Sequence, residues 1–335
     1  MNFNLSPLSD DLPWHEKQWQ VLRACVTKDR FPHALLLHGP MGVGKRIFAQ
    51  RVAATLLCSQ LTDSITPCGQ CQSCHLLGTS VHPDFFLLEP EEGTSTIKID
   101  QVRMLAERVT LTGQFGDRRM VVVDPVDGMT LGAANGFLKI LEEPPAGVVF
   151  LLLSSRPGRL LATIKSRCVT LPFPIPPDNL AASWLASRVE GSPEVSLSLS
   201  LGAPLQALAI QSGQEDLIAL RQKMIKELYS VVSGNGSPVN VSNLWSKMAL
   251  MDVLAKIISW LADIIRVKMY LPDEKLINKD VVGELKSLSR FFDLPTLFRL
   301  RDTAQQLSAD SQATNLNQAT ILADFLCTIR ALSSR

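Results

Sequence analysis

Gly39 to Arg46 reads Gly-Pro-Met-Gly-Val-Gly-Lys-Arg, a spacing suited to holding phosphate. The glycines let backbone N–H groups turn toward an anion, the start of a helix adds positive potential, and the lysine reaches the outer phosphates. Gly39, Gly42, Gly44 and Lys45 are the candidate nucleotide-binding residues, and Asp124, which closes the apolar run MVVVD at 120–124, is the candidate Mg²⁺ carboxylate. Parts of the machinery are missing. The position after the lysine should supply a hydroxyl to the metal, and Arg46 cannot ligate a cation. Pro125 stands where an ATPase of this type wants a carboxylate for the attacking water. Metal-assisted hydrolysis is therefore not expected, whereas ATP or ADP binding without turnover and an idle loop both stay open. Asp124 also has a plainer reading as a strand-ending turn residue, and Asp127 is expected to point elsewhere.

Cys68, Cys71 and Cys74 form C-x-x-C-x-x-C, with Cys58 a short loop upstream. Four thiolates at these spacings wrap one tetrahedral Zn²⁺ and leave no open position for a catalytic water, so the metal would be structural. An iron–sulfur cluster and a metal-free cluster are the alternatives. A ferredoxin-like run would need a cysteine at 78, where Gly78 stands. His75 and His82 are substitutes for Cys58 as ligand, although histidines near such loops are more often ordinary surface residues. Cys25, Cys168 and Cys327 are isolated and read as small apolar side chains.

These groups need a scaffold, and the hydrophobic pattern supplies one. HALLLH (33–38) reads as a buried strand entering the phosphate loop, and the following helix repeats Phe48, Val52 and Leu56 every fourth residue, with Cys58 in its last turn. FFLLE (85–89), MVVVD (120–124) and VVFLLL (148–153) are further strands, separated by a helix starting near Asp100 as N-cap and another from about Thr130 to Glu143, ended by Pro144 and Pro145. Short apolar strands alternating with helices predict a parallel sheet covered on both faces. Four prolines in PFPIPP (172–177) mark a linker. Beyond it lies a small helical segment to about 215. The remainder is poor in glycine and proline and carries long amphipathic patterns, among them LIALRQKMIKELYSVV and ATILADFLCTIRAL, consistent with a helical bundle.

Composition bounds the partners. The 335 residues suffice for two or three domains, and a formal net charge of +1 with 19% charged residues excludes a basic coat for nucleic acid. DNA contacts must then be local or supplied by other chains. The N-terminal stretch does not read as a secretory signal. The apolar segment 249–271 is interrupted by Asp252, Lys256, Asp263, Arg266 and Lys268, which argues against a membrane span and for a cytoplasmic protein.

Ser166-Arg167-Cys168 precedes the strand-like VTLPF. Alone, such an arginine is usually a solvated charge. Together with the phosphate loop, the cysteine insertion, HPDFFLLEP (82–90), ANGFLKILEEPP (134–145), RLLATIKSRC (159–168) and GAPLQALAI (202–210), it makes residues 31–210 resemble the sliding-clamp loader family of AAA+ proteins. The resemblance narrows to a loader subunit type that lacks a complete ATP site: Arg46, Pro125 and Leu205 depart from the pattern of the motor subunits, with Leu205 where their second sensor places an arginine, and Ser154 or Ser155 remains as a first sensor.

The fold implied is a AAA+-like domain over 1–174 with a zinc module at about 58–80, a small helical lid over 175–215 and an all-α collar over 216–335. The function implied is that of a non-hydrolysing stator in the loader of DNA polymerase III, a nucleotidyltransferase assembly. Arg167, with Ser166 and Cys168 as its motif, would be lent to the ATP site of a neighbouring subunit. The implied partners are the motor subunits gamma and tau and the delta subunit in a hetero-pentamer, and through it the sliding clamp and primer-template DNA. An ATP-binding or ATP-hydrolysing loader subunit is the alternative.

Overall fold

The computed structural model describes residues 12–28, 30–62, 65–110, 113–189, 193–210, 214–310 and 317–333. Its contacts divide the chain into two compact units, Met1–Trp184 with Ala203–Gln206, and Leu185–Gly202 with Ala207–Arg335.

The first unit opens with helix α1 (Glu16–Thr27) and continues as β1 (Ala34–His38), α2 (Lys45–Leu57), α3 (Gln72–Gly78), β2 (Phe85–Leu88), α4 (Ile99–Thr110), β3 (Arg119–Val123), α5 (Leu131–Glu142), β4 (Val148–Ser154), the short α6 (Ala162–Lys165) and β5 (Val169–Pro172). The strands form one sheet in the order β2-β3-β4-β1-β5, every pairing parallel. Side chains alternate between its faces, as a pleated strand requires. Leu36, Val121, Val123, Phe150 and Leu152 meet α4 and α5 through Val102, Leu105, Phe137 and Leu141. On the opposite face Leu35, Leu37, Met120, Val122, Leu151 and Leu153 meet Phe48, Val52 and Leu56 of α2 and Leu22 of α1. Both faces are therefore buried, which is why these strands read as uninterrupted apolar runs.

Two helix boundaries differ from expectation. Asp100 lies inside the first turn of α4 rather than capping it. Gln101 Oε1, at the third helical position, instead reaches back and accepts from the Lys98 N–H at 2.9 Å, satisfying the amide of the residue that precedes the helix. Cys58 is the C-cap of α2, one residue beyond the last helical turn, with an extended backbone that turns its thiol toward the following loop.

After the proline-rich stretch come α7 (Asp178–Ala186), α8 (Pro193–Leu199) and α9 (Pro204–Ile210). The second unit is dominated by α10 (Gln214–Val232), α11 (Pro238–Trp245), α12 (Leu250–Lys268), α13 (Val282–Ser289), α14 (Leu294–Asp310) and α15 (Gln318–Leu332) around Trp245, Trp260, Ile257, Leu285, Leu300 and Phe325. Its core contains a polar knot. Asp263 on α12, fully buried, accepts from Arg266 and from the backbone N–H groups of Ile277 and Asn278. Arg221 on α10 bonds Asn278 and pairs with Asp280 at 2.9 Å. Of the charges that break the apolar segment 249–271, Asp263 and Arg266 thus pair with each other, the acid fully buried in the helical bundle. Among the described residues, no helix is long and apolar enough to cross a membrane.

Candidate functional site

The sheet order places a topological switch between β4 and β1, and the carboxyl ends of parallel strands at such a switch are where ligands bind in open α/β folds. The chain puts its phosphate loop there. It leaves β1 at His38 and turns through Gly39, which lies so close to the neighbouring strand extension that a Cβ would sit 1.9 Å from Phe173 O. It enters α2 through Gly44, whose φ of +93° is left-handed. Asp124 follows β3, Ser154 ends β4 with Ser155 next, and Glu89 follows β2, so all four acid and hydroxyl positions face the same end of the sheet. The predicted set Gly39, Gly42, Gly44, Lys45 and Asp124 is brought together.

Lys45 is 7% exposed. Its Nζ donates to Gly39 O and Pro40 O, both at 2.6 Å, and to Ser155 Oγ at 3.2 Å. Burial lowers its pKa to about 8 against the opposing pull of Asp124 and Asp127. Ser155, rather than Ser154, thus stands beside the lysine; Ser154 Oγ accepts from the Arg156 N–H. Arg46 occupies the acid pair. Its Nη1 lies 3.3 Å from Asp124 Oδ2 and its Nη2 lies 3.0 Å from Glu89 Oε2. Burial raises the Asp124 pKa, while Arg46 and Lys45 pull it down. A fixed guanidinium therefore supplies positive charge between the carboxylates, where a hydroxyl and a divalent cation would stand in a complete site. Asp127 points to the β4 end, accepting from Ser155 N–H and pairing with Arg156 at 3.2 Å. Leu205 offers only its backbone, donating to Gly42 O at 3.0 Å.

The residues before α1 close over the loop, which the sequence pattern did not announce. Trp14 Nε1 and His15 Nε2 both bond Val43 O, at 2.9 and 2.8 Å, and a Cβ on Gly44 would collide with Leu12 and His15. His15 packs edge-on against Phe48 and Phe173. Burial lowers its pKa to about 4, with Arg51 pushing the same way and the Val43 bond opposing.

Cys58, Cys68, Cys71 and Cys74 converge with all four sulfurs within 4.8 Å of one another, an arrangement that could hold a metal ion. Cys58 Sγ is 3.6 Å from Cys68 Sγ and 3.9 Å from Cys71 Sγ, close to the roughly 3.8 Å edge of a tetrahedron built with ~2.3 Å metal–sulfur bonds. The donor chemistry fits as well. Backbone N–H groups of Gln60 and Cys68 point at Cys58 Sγ, those of Gln70 and Cys71 at Cys68 Sγ, and that of Cys74 at Cys71 Sγ, and such donors favour thiolate over thiol. His82 stands outside the cluster. Ser73 Oγ donates to Leu57 O, so it accepts from His82 Nε2 at 2.7 Å, and His82 Nδ1 accepts from Asp84 N–H. That chain ties α3 to the C-terminal end of α2 and the start of β2. Cys168 is partly buried against the sheet core, and burial raises its pKa to about 11.

Arg167 lies elsewhere. It follows α6 and precedes β5, so it sits at the amino end of the sheet, with Ser166 beside it. Its Nη2 lies 2.6 Å from Glu142 Oε1, and its Nη1 donates to Thr163 O at 2.9 Å and to Ser166 Oγ at 3.4 Å. The structure does not bring Arg167 to the chain's own phosphate loop.

A parallel sheet of this order, carrying a phosphate-loop sequence at its switch point and a four-cysteine insertion after α2, defines a P-loop α/β protein with a C-terminal helical domain. Residues 14–177 match the family described as DNA polymerase III, delta subunit, and residues 215–330 match the family described as DNA polymerase III, delta subunit, C terminal. The DNA polymerase III subunit delta' of Pseudomonas aeruginosa is 33% identical over 320 residues, covering 94% of this chain and 96% of that protein. The subunit of the same name from Escherichia coli is 31% identical over 326 residues, covering 95% and 94%. The chain belongs to the DNA polymerase III subunit delta' family.

Proposed function

We propose that this chain is a non-hydrolysing subunit of the DNA polymerase III clamp loader, which lends Arg167 to the ATP site of a neighbouring motor subunit while its own loop performs no turnover. The observation that carries this reading is the placement of Arg167. Leu35 pairs with Val169 and His38 with Pro172, so at ~3.3 Å per residue Arg167 lies roughly 15–20 Å from the phosphate loop. That span exceeds an arginine side chain, so a phosphate held at the chain's own loop is out of reach of Arg167, which supports its use at a neighbour's site. A guanidinium delivered in this way offsets charge on a transferring phosphoryl group and is worth about 10³ to 10⁵ in rate in well-studied systems.

The idle loop has its own support. Arg46 fills the acid pair and Pro125 offers no base, so a nucleotide would find neither metal nor activated water. The assembly we propose is a hetero-pentamer with gamma or tau and delta, acting in the cytoplasm on the sliding clamp and primer-template DNA. Within the chain, 175–215 would be a lid and 216–335 the collar by which the subunits associate. Zinc is the metal we assign to the four cysteines. With four sulfur donors its role is structural, bracing the loop between α2 and β2.

The test is a reconstituted loader carrying Arg167→Ala. Assembly should be intact and DNA-stimulated ATP hydrolysis lowered at least about tenfold at the adjoining site. Unchanged turnover in a fully assembled complex would sink the finger assignment.

A further inference from the structure

Arg167 is already engaged. Its shortest contact is the 2.6 Å ion pair from Nη2 to Glu142, and its other terminal nitrogen, Nη1, is turned to Thr163 O. Glu142 is the last residue of α5, followed by a second acid, Glu143, with Lys139 the base of that turn. An acid at this position faces the negative end of the helix dipole and is disfavoured unless something compensates it. Arg167 is that compensation. The two side chains keep 34% and 47% of their exposure, so the pair is accessible and exchangeable rather than locked in the core.

We infer that Glu142 is a positioning residue that holds Arg167 between turnovers and competes for it with the neighbour's phosphate, thereby setting how readily the finger is delivered. This rests on the finger reading given above. The competition follows from charge. The carboxylate occupies one of the two guanidinium nitrogens that would grip a phosphate, and a phosphate drawn to the same group brings like charge beside the carboxylate. Delivery therefore requires the Glu142 contact to open.

The experiment compares loaders reconstituted with the wild-type chain, Glu142→Gln, Glu142→Asp, Arg167→Ala and the double variant Glu142→Gln with Arg167→Ala. ATP hydrolysis is measured across ATP concentration with primed DNA and clamp present. Glu142→Gln keeps the shape and removes the charge. Turnover should rise up to about fivefold, the range an exchangeable, half-exposed ion pair allows, and Glu142→Asp should stay near wild type. The double variant should match Arg167→Ala alone, because Glu142 acts through the arginine. Glu142→Gln turnover that is unchanged or lower overturns the inference, as does a rise that persists without Arg167. If Arg167→Ala has no effect, the finger reading itself fails; if it lowers turnover and Glu142→Gln does not raise it, only the present inference does.

Discussion

The guanidinium of Arg46 lies 3.3 Å from the carboxylate of Asp124. The first helical turn after the phosphate loop therefore neutralises the acid that follows β3, and the same guanidinium reaches Glu89 at 3.0 Å. Replacing Arg46 with serine would restore a hydroxyl and leave two acids facing one another. The groups are 21–35% exposed, so solvent screening holds the loss of stability to about 1 kcal/mol or less. Arg46→Ser should gain affinity for a divalent cation with nucleotide, yet show no hydrolysis, because Pro125 still supplies no base. Isothermal titration with and without Mg²⁺, alongside phosphate release, checks both halves; phosphate release by this variant would show that the missing base is dispensable.

Stability should depend on pH through His15. Its folded pKa, about 4, lies below its ordinary value of 6.5 because burial disfavours the imidazolium. Between those values the unfolded chain binds the proton that the folded chain refuses. The contribution is complete above pH 6.5 and is lost as pH falls toward 4, on the order of 3 to 4 kcal/mol in all. Denaturant midpoints for His15→Gln, which keeps a donor for Val43 O, should vary less over that interval than the wild type. An identical pH profile for the two proteins would contradict the assignment.

Metal content and stability should move together. Cys71→Ser removes one of four sulfurs, and the purified variant should lose its zinc and several kcal/mol of the metal's contribution to folding, which is on the order of 10 kcal/mol in small zinc modules. Elemental analysis with thermal unfolding, before and after a strong chelator, reads this directly. A zinc-free wild type of equal stability would remove the metal from the description.

The helical unit should depend on Arg221. Both it and Asp280 are nearly inaccessible, so Arg221→Met leaves a buried carboxylate without its cation and should cost about 3–5 kcal/mol. The paired change of Arg221→Met with Asp280→Leu should recover much of that loss. Unfolding monitored by tryptophan emission suits the measurement, since Trp245 and Trp260 lie in this core.

Much of this was legible before any coordinates. The apolar runs place β1 to β4 to within a residue or two, and β1, β3 and β4, buried on both faces, leave no alternation to misread. The convergence of the four cysteines is legible because side chains drawn together from one short segment, the end of α2 to the start of α3, appear in the sequence as close spacing. Asp100 misled because an acid before a helical pattern is a good cap on average, while here Gln101 reaches back to the Lys98 N–H. The closing segment at Trp14 and His15 has no spacing that ties it to Val43, so its contact with the phosphate loop had no local signal.

The order of residue types along the chain was enough to state which chemistry the protein carries and which it lacks: a phosphate loop without a metal hydroxyl, a sulfur cluster and an arginine before β5. Those properties depend on neighbours in sequence. Tertiary structure alone decided the pairings of charge. Arg46 meets Glu89 across 43 residues and Asp124 across 78, Arg167 meets Glu142 rather than its own loop, and His82 braces α3 instead of ligating. The reason is that an ionic contact is selected by distance in space, which is set by the strand order of the sheet, and strand order is not written in any local stretch of residues.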